Sequence, residues 1–155
     1  MIDDIDAEIL ARLQDDARIP LSQVAEQIGL ATSSVHERVR KLESKGIIQG
    51  YRPILDAEAL NYGVTAIVQL SQMGGANHDV DLHERLAEFI EVEDCYGVAG
   101  EDDYVLKVRT RTTRDLEMLL KRLNTIPSVS RTRTTVILNT YFEHRPIPIG
   151  PQKRD

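Results

Sequence analysis

The sequence predicts an α+β chain in two parts: a three-helix, helix-turn-helix unit (winged-helix-like) followed by a βαββαβ unit. Two observations predict it. Apolar residues up to Leu42 recur at i, i+3, i+4 and i+7, the helical period, whereas from Val64 they alternate, with two helical stripes interposed. Gly29 and Gly46 fall just beyond two of the helical stripes, where a chain leaving a helix needs positive φ.

The first helix uses Ile5, Ile9, Leu10 and Leu13 as its buried stripe. Asp3, Asp4 and Asp6 stand near its start, where the helix dipole favours negative charge. The run from Asp15 to Pro20 breaks it. The second helix is Leu21–Ile28, with Leu21, Val24, Ala25 and Ile28 on one face and Ser22 near its start; Gly29 stops it. The third begins around Thr32, buries Val35, Val39 and Leu42, and ends near Gly46. Ser34 and Glu37 have capping-box spacing, although Thr32 or Ser33 serves equally as the cap. Two short helices joined by a tight glycine turn make a helix-turn-helix, which commonly offers its second helix to the major groove of DNA.

Residues 47–55 leave the third helix as a strand-like stretch, in which Pro53 suits an edge strand. Val64, Ala66, Val68 and Leu70 then alternate as a strand. A loop over 73–78 contains Gly74 and Gly75. Leu82, Leu86, Phe89 and Ile90 form a helical stripe. Residues 92–100 and 104–112 are strands joined by a short acidic turn. Thr113 caps a helix with Leu116, Leu119, Leu120 and Leu123 inward, and 129–141 is a long final strand. This βαββαβ order is the ferredoxin-like split βαβ arrangement. Both helices cover one sheet face. Val, Ile and Tyr side chains on the other face predict burial against a second copy, hence a homodimer. The domains are expected at 1–50, with a hinge strand and linker at 51–62, the sheet unit at 63–142 and an extended, proline-containing tail at 143–155.

Composition narrows the function. The 155 residues carry a net charge of −6, unevenly spread: residues 32–52 are net +3, while 1–31 are net −5, 53–103 net −11 and 104–155 net +7. The basic stretch of the N-terminal third thus coincides with the third helix and its exit. Local sign governs phosphate contact, because surface charges more than about 10 Å apart are largely screened at 0.1 M salt. No apolar run approaches the roughly 18 residues of a membrane span, so no membrane partner is expected. The acidic N-terminus is not a secretory signal, so the expected location is the cytoplasm. A single Cys95 excludes an internal disulfide framework, and no His or Cys pair has metal-ligand spacing. Neither a metal nor a cofactor is expected.

On a helical wheel Ser33, Glu37 and Arg40 point directly away from Val35, with His36 and Lys41 flanking them. Ser33, His36, Glu37 and Arg40 are the candidates for base edges. Ser22, Gln23, Thr32, Ser34, Lys41 and Arg52 are the candidates around them, chiefly for phosphate. An ordinary solvated helix face has the same composition; the spacing, turn and local charge together favour the DNA-facing reading. Arg38 borders the buried face and is expected to pack its stem and pair with a carboxylate.

The segments I-D-A-E-I-L-A-R-L-Q-D-D-A-R-I-P-L-S-Q-V-A-E-Q-I-G-L, V-H-E-R-V-R-K-L-E-S-K-G-I-I-Q-G-Y and E-D-C-Y-G-V-A-G-E-D-D-Y-V-L-K-V resemble the leucine-responsive regulator/AsnC (feast/famine) family of transcription regulators, over roughly residues 3–142. The resemblance implies a cytoplasmic, nucleoid-associated regulator of double-stranded DNA that responds to a free amino acid. It implies pairing of the hinge strand with its counterpart in a second subunit, and dimers assembling into an octamer. Where the family usually has Ser after Gly-Leu, this chain has Ala31, so Thr32 or Ser33 is expected to supply the capping oxygen.

Gly100, Glu101, Asp102, Asp103 and Tyr104 form the tip between the two middle strands. Three adjacent carboxylates repel one another unless something cationic is near. By composition this is a polar turn. The resemblance implies an effector site built around it at a subunit interface. Backbone N–H groups near Gly100 would take the ligand carboxylate and Asp102 or Asp103 its ammonium. Thr134 and Val136 would line the wall, and Arg131 and Arg133 are nearby for ion pairing. Three other readings stay open: a nucleoid-organising protein with little sequence preference, a haem-biosynthesis-type enzyme on the same fold, and an amino-acid-binding module that has lost DNA binding. Nothing in the spacing of His36, His78, His83 and His144 supports the second, and no enzyme is expected.

Overall fold

The computed structural model describes residues 2–73 and 82–149. It forms two compact units, Met1–Ile54 with Phe142–Asp155, and Leu55–Tyr141.

The helical unit contains α1 (Asp4–Asp15), α2 (Leu21–Ile28) and α3 (Thr32–Ser44). Asp3 opens α1 with a reciprocal capping box: its side chain accepts from the Asp6 N–H, and the Asp6 side chain accepts from the Asp3 N–H. Ile9, Leu13, Val24, Ala25, Val35 and Val39 form the core, with Ile5, Ile19, Leu21, Ile28, Leu30 and Ile48 packed around it. This is the stripe that the helical period marks, extended by three residues from the connections. Gly29 has φ +71, and the Leu30 N–H reaches the Ala25 carbonyl at 2.9 Å. Gly46 has φ +68, and the Ile47 N–H reaches the Leu42 carbonyl at 2.9 Å. Both helices therefore end in left-handed glycine stops that satisfy their last carbonyls. Residues 142–149 carry no helix or strand. They are nevertheless held, because the Gln14 side-chain amide pairs with the Ile147 backbone at both ends: Gln14 Nε2 donates to the Ile147 carbonyl (3.0 Å) and the Ile147 N–H donates to Gln14 Oε1 (2.8 Å).

Residues 49–56 have no helix or strand within the chain, and Tyr51 and Ile54 are exposed along them. Asp56 then caps a turn through the Ala59 N–H at 3.1 Å, and Asn61 adopts φ +63 within it.

The second unit runs β1 (Val64–Gln72), α4 (Leu82–Ala87), β2 (Val92–Gly97), β3 (Tyr104–Thr110), α5 (Thr113–Asn124) and β4 (Val129–Ile137). The strands lie in the order β2-β3-β1-β4, every neighbouring pair antiparallel. This is the ferredoxin-like sheet. Ala66, Val68 and Leu70 of β1 face the helices with Leu106 and Val108 of β3, against Leu82, Leu86, Leu116, Leu119 and Leu123. The opposite face carries Ile67, Gln69 and Ser71 of β1, with Lys107 and Val105 of β3 paired across from Ile67 and Gln69. Glu93 ties Lys107 (3.2 Å) and Arg109 together on this sheet.

Three sequence expectations shift. The helix α4 ends at Ala87, so Ile90 lies beyond it and is almost fully exposed, while Phe89 still packs on the core. The cap of α5 is Thr112, not Thr113; Thr112 and Asp115 form a second capping box, which the T-x-x-D spacing favours over the next threonine. The last strand ends at Ile137 rather than 141, and β2 and β3 end at Gly97 and Thr110 rather than 100 and 112. The expected loop over 73–78 lies, beyond Met73, outside the described residues.

Candidate DNA-contact helix and effector turn

Helix α3 is held from beneath by Val35, Val39 and Leu42, all but fully buried. Their spacing leaves Ser33, Ser34, His36, Glu37, Arg40 and Lys41 exposed, and Ser22, Gln23, Thr32 and Arg52 are exposed as well. Among the described residues none of the side chains of Ser33, His36, Glu37, Arg40 or Lys41 forms a hydrogen bond or ion pair. Arg38, on the border of the buried face, donates to Asp3 and Asp6 at 2.7 Å each. These carboxylates hold the Arg38 pKa above its ordinary value, the Asp3 bond contributing most and the Asp6 bond next. One arginine of the helix is thus consumed by the fold and its neighbour Arg40 is not.

The start of α3 differs from expectation. Ala31 is the cap residue and provides no side-chain hydrogen bond. Thr32 and Ser33 already lie inside the first turn, so neither supplies the capping oxygen, and the Ser34–Glu37 spacing falls too late for a box. The first N–H groups of the helix remain open, a feature that suits phosphate.

In the sheet unit the acidic turn joins β2 to β3. The Asp103 N–H donates to the Leu70 carbonyl (2.9 Å), its carboxylate accepts from the Gln72 N–H (2.6 Å), and its carbonyl accepts from the Val98 N–H (3.0 Å). Asp102 is buried. It accepts from the Ser71 hydroxyl (3.0 Å), from Arg133 (2.5 Å) and from Arg131 (3.3 Å). Burial pushes its pKa up, but the Ser71 hydroxyl and the two guanidinium groups prevail and hold it below the usual carboxylate value. Glu101 is 81% exposed at its side chain, 3.8 Å from Arg133. Gly100 is exposed and Tyr104 half-buried against the core.

The strand register sorts the remaining site candidates. Arg131 pairs across from Ser71 and Arg133 from Gln69, whereas Thr134 pairs across from Val68 and Val136 from Ala66. Thr134 and Val136 therefore stand on the helix-covered face and farther from the turn; the Thr132 hydroxyl, on the same face, donates to Asn124 of α5. Within one chain the turn is brought together with Arg131 and Arg133 but not with Thr134 and Val136. Ser71 and Gln72 escaped sequence reasoning. The alternation of β1 was the available signal, since it puts Gln69 and Ser71 on the face that the helices leave bare. Among the described residues no group of three or more His, Cys, Asp or Glu lies close enough to hold a metal ion, and no helix is long and apolar enough to cross a membrane.

Comparison with known proteins bears on both units. Residues 2–43 match the AsnC-type helix-turn-helix domain, and residues 65–147 match the Lrp/AsnC ligand binding domain. The chain is 44% identical to the HTH-type transcriptional regulator LrpA of Mycobacterium tuberculosis, over 93% of this chain and 95% of that one. It is 35% identical to the HTH-type transcriptional regulator FL11 of Pyrococcus horikoshii, over 96% and 97%. The crystal structure of M. tuberculosis LrpA superposes with a TM-score of 0.85 at 42% identity, covering 96% of this chain and all of that one. A feast or famine regulatory protein from M. tuberculosis complexed with L-methionine superposes at 0.90 with 43% identity, covering 97% and 100%. A helix-turn-helix with an open polar face, a ferredoxin-like sheet and these matches across both units lead to one conclusion: the chain belongs to the Lrp/AsnC family of HTH-type transcriptional regulators.

Proposed function

We propose that this chain is a sequence-specific transcription regulator, cytoplasmic and nucleoid-associated, that reads double-stranded DNA with α3 and responds to a free amino acid at the Gly100–Tyr104 turn. The observation that carries the DNA part is the contrast between Arg38 and Arg40. The first is committed to Asp3 and Asp6, while the second stands exposed beside Ser33, His36 and Glu37 with no partner among the described residues. Arg40, Glu37, Ser33 and His36 address base edges; Ser22, Gln23, Thr32, Ser34, Lys41 and Arg52 address phosphates, helped by the open N–H groups of α3.

The effector reading rests on the turn and on the L-methionine complex of a relative. Backbone N–H groups near Gly100 take a carboxylate, and Glu101, the most exposed carboxylate of the turn though 3.8 Å from Arg133, takes an ammonium. Thr134 and Val136 join such a site only from a second subunit. A homodimer is supported by the bare sheet face and by exposed Tyr51, Ile54 and Leu55 in the hinge. Assembly to an octamer follows the family resemblance. The ligand acts through its different affinity for two arrangements of these subunits.

Selection of bound genomic fragments by the wild-type chain and by Arg40→Ala, with and without amino acids, tests both parts. A shared motif lost in the variant is expected. Equal, sequence-indifferent recovery by both proteins would remove the recognition claim. Titration calorimetry against the twenty protein amino acids, silent for all, would remove the sensing claim.

A further inference from the structure

Asp102 sits where three elements meet. It follows the exposed Gly100 and Glu101 in the turn, yet only 4% of its side chain is accessible. Its carboxylate takes the Ser71 hydroxyl from β1 and two guanidinium groups from β4. Arg133 is fixed in turn by Gln69, whose Oε1 accepts from Arg133 Nε at 3.1 Å. A buried carboxylate remains charged only while it is paired and hydrogen-bonded, and removing one partner leaves a stranded charge. The neighbouring carboxylate is spent as well, since Asp103 accepts from the Gln72 N–H. Of the three acidic side chains of the turn, Glu101 is the most exposed, and its own contact with Arg133 is a long one at 3.8 Å.

The consequence concerns β4. It is an edge strand whose pairing within the chain is with β1, and that ladder shifts register at Ser71 and Gln72, beside the turn. At this irregular end the ladder is locally disrupted, and there the Asp102 pairs to Arg131 and Arg133 add a second attachment. A displacement of the turn has a direct route to β4 through two charge-assisted bonds.

Resting on the reading that the turn takes an amino acid, we propose that Asp102 is a positioning residue and not a ligand contact: it fastens the turn to β4 through Arg131 and Arg133, so that occupation of the turn is felt along β4.

Hydrogen–deuterium exchange of the full chain tests this, with L-methionine as the probe, or whichever protein amino acid binds tightest in the titration above. In the wild type, ligand slows exchange about tenfold in both 98–104 and 129–137. Asp102→Asn keeps the shape and the Ser71 contact but removes the charge. It is expected to retain protection of 98–104 and to lose that of 129–137. Equal protection of β4 in the variant, or none in the wild type, overturns the proposal. Loss of all binding by a folded Asp102→Asn would make Asp102 a ligand contact and also overturn it. Should that variant fail to fold, Arg131→Gln removes one exposed arm of the clamp and is expected to halve the β4 protection; unchanged protection there decides against the clamp. A wild type that binds none of the twenty amino acids overturns the reading of the turn itself, and the clamp's signalling role goes with it.

Discussion

Arg38 reaches from α3 to the carboxylate of Asp6 on α1, with Nη1 2.7 Å from the nearer oxygen. The same nitrogen lies 2.7 Å from Asp3. The capping box of α1 is thereby tied to the helix that bears the exposed polar face.

Arg38→Ala and Arg40→Ala should separate structure from recognition. The first lowers the thermal midpoint by a few degrees, with a smaller effect on DNA affinity. The second leaves the midpoint unchanged and weakens specific DNA binding by about 1–3 kcal/mol. Lys41→Ala, a phosphate candidate, weakens all sequences alike and reduces the salt slope by about 1. Circular dichroism melts and fluorescence anisotropy at several salt concentrations check all three.

Asp3 gives the helical unit an acid sensitivity. The Asp6 N–H, and then Arg38, hold its carboxyl below the ordinary value of 3.8. A depressed carboxyl pKa stabilises the fold above the unfolded value, and that contribution is lost as pH falls through the lower folded value. Stability from this residue is therefore complete above about pH 4 and declines below it. Asp3→Asn should flatten the acid limb of the stability curve, measured by urea unfolding from neutral pH downward.

Gly29→Ala tests the helix stop. No atom lies within 4 Å of an added Cβ, so there is room, but the φ of +71 is strained for any side chain. The expected loss is about 1–2 kcal/mol from backbone conformation alone, read from chemical denaturation.

Ala31→Ser supplies the oxygen that the start of α3 lacks. Stability should rise by about 1 kcal/mol. The new hydroxyl competes for the N–H groups offered to phosphate, so DNA affinity should fall in the same protein. Both quantities rising together would contradict the proposed phosphate contact.

The core of both units was legible because burial repeats with the period of its element: Ile9, Val24, Val35 and Val39 in the helices, Ala66, Val68 and Leu70 in the first strand. Positions decided by one residue of boundary or register were not. Thr112 and Thr113 are alike as sequence, and only the box with Asp115 separates them. Ile90 completes a helical stripe on paper, but α4 has ended before it. Which residues of β4 accompany the acidic turn depends on pairing register, and a slip of one exchanges Arg131 and Arg133 for Thr132 and Thr134. The partners of Asp102 come from 29 to 31 residues away in sequence, beyond any local pattern.

The hold of Gln14 on Ile147 makes the helical unit discontinuous in sequence, since it draws on both sides of the sheet unit inserted between them. During synthesis the three helices emerge first, yet their last supporting strap is translated after the whole sheet. The N-terminal unit must therefore wait for the ribosome to pass β4 and reach Ile147 before the Gln14 side chain gains its two hydrogen bonds to that backbone, and a nascent or proteolytically shortened chain presents Gln14 without them.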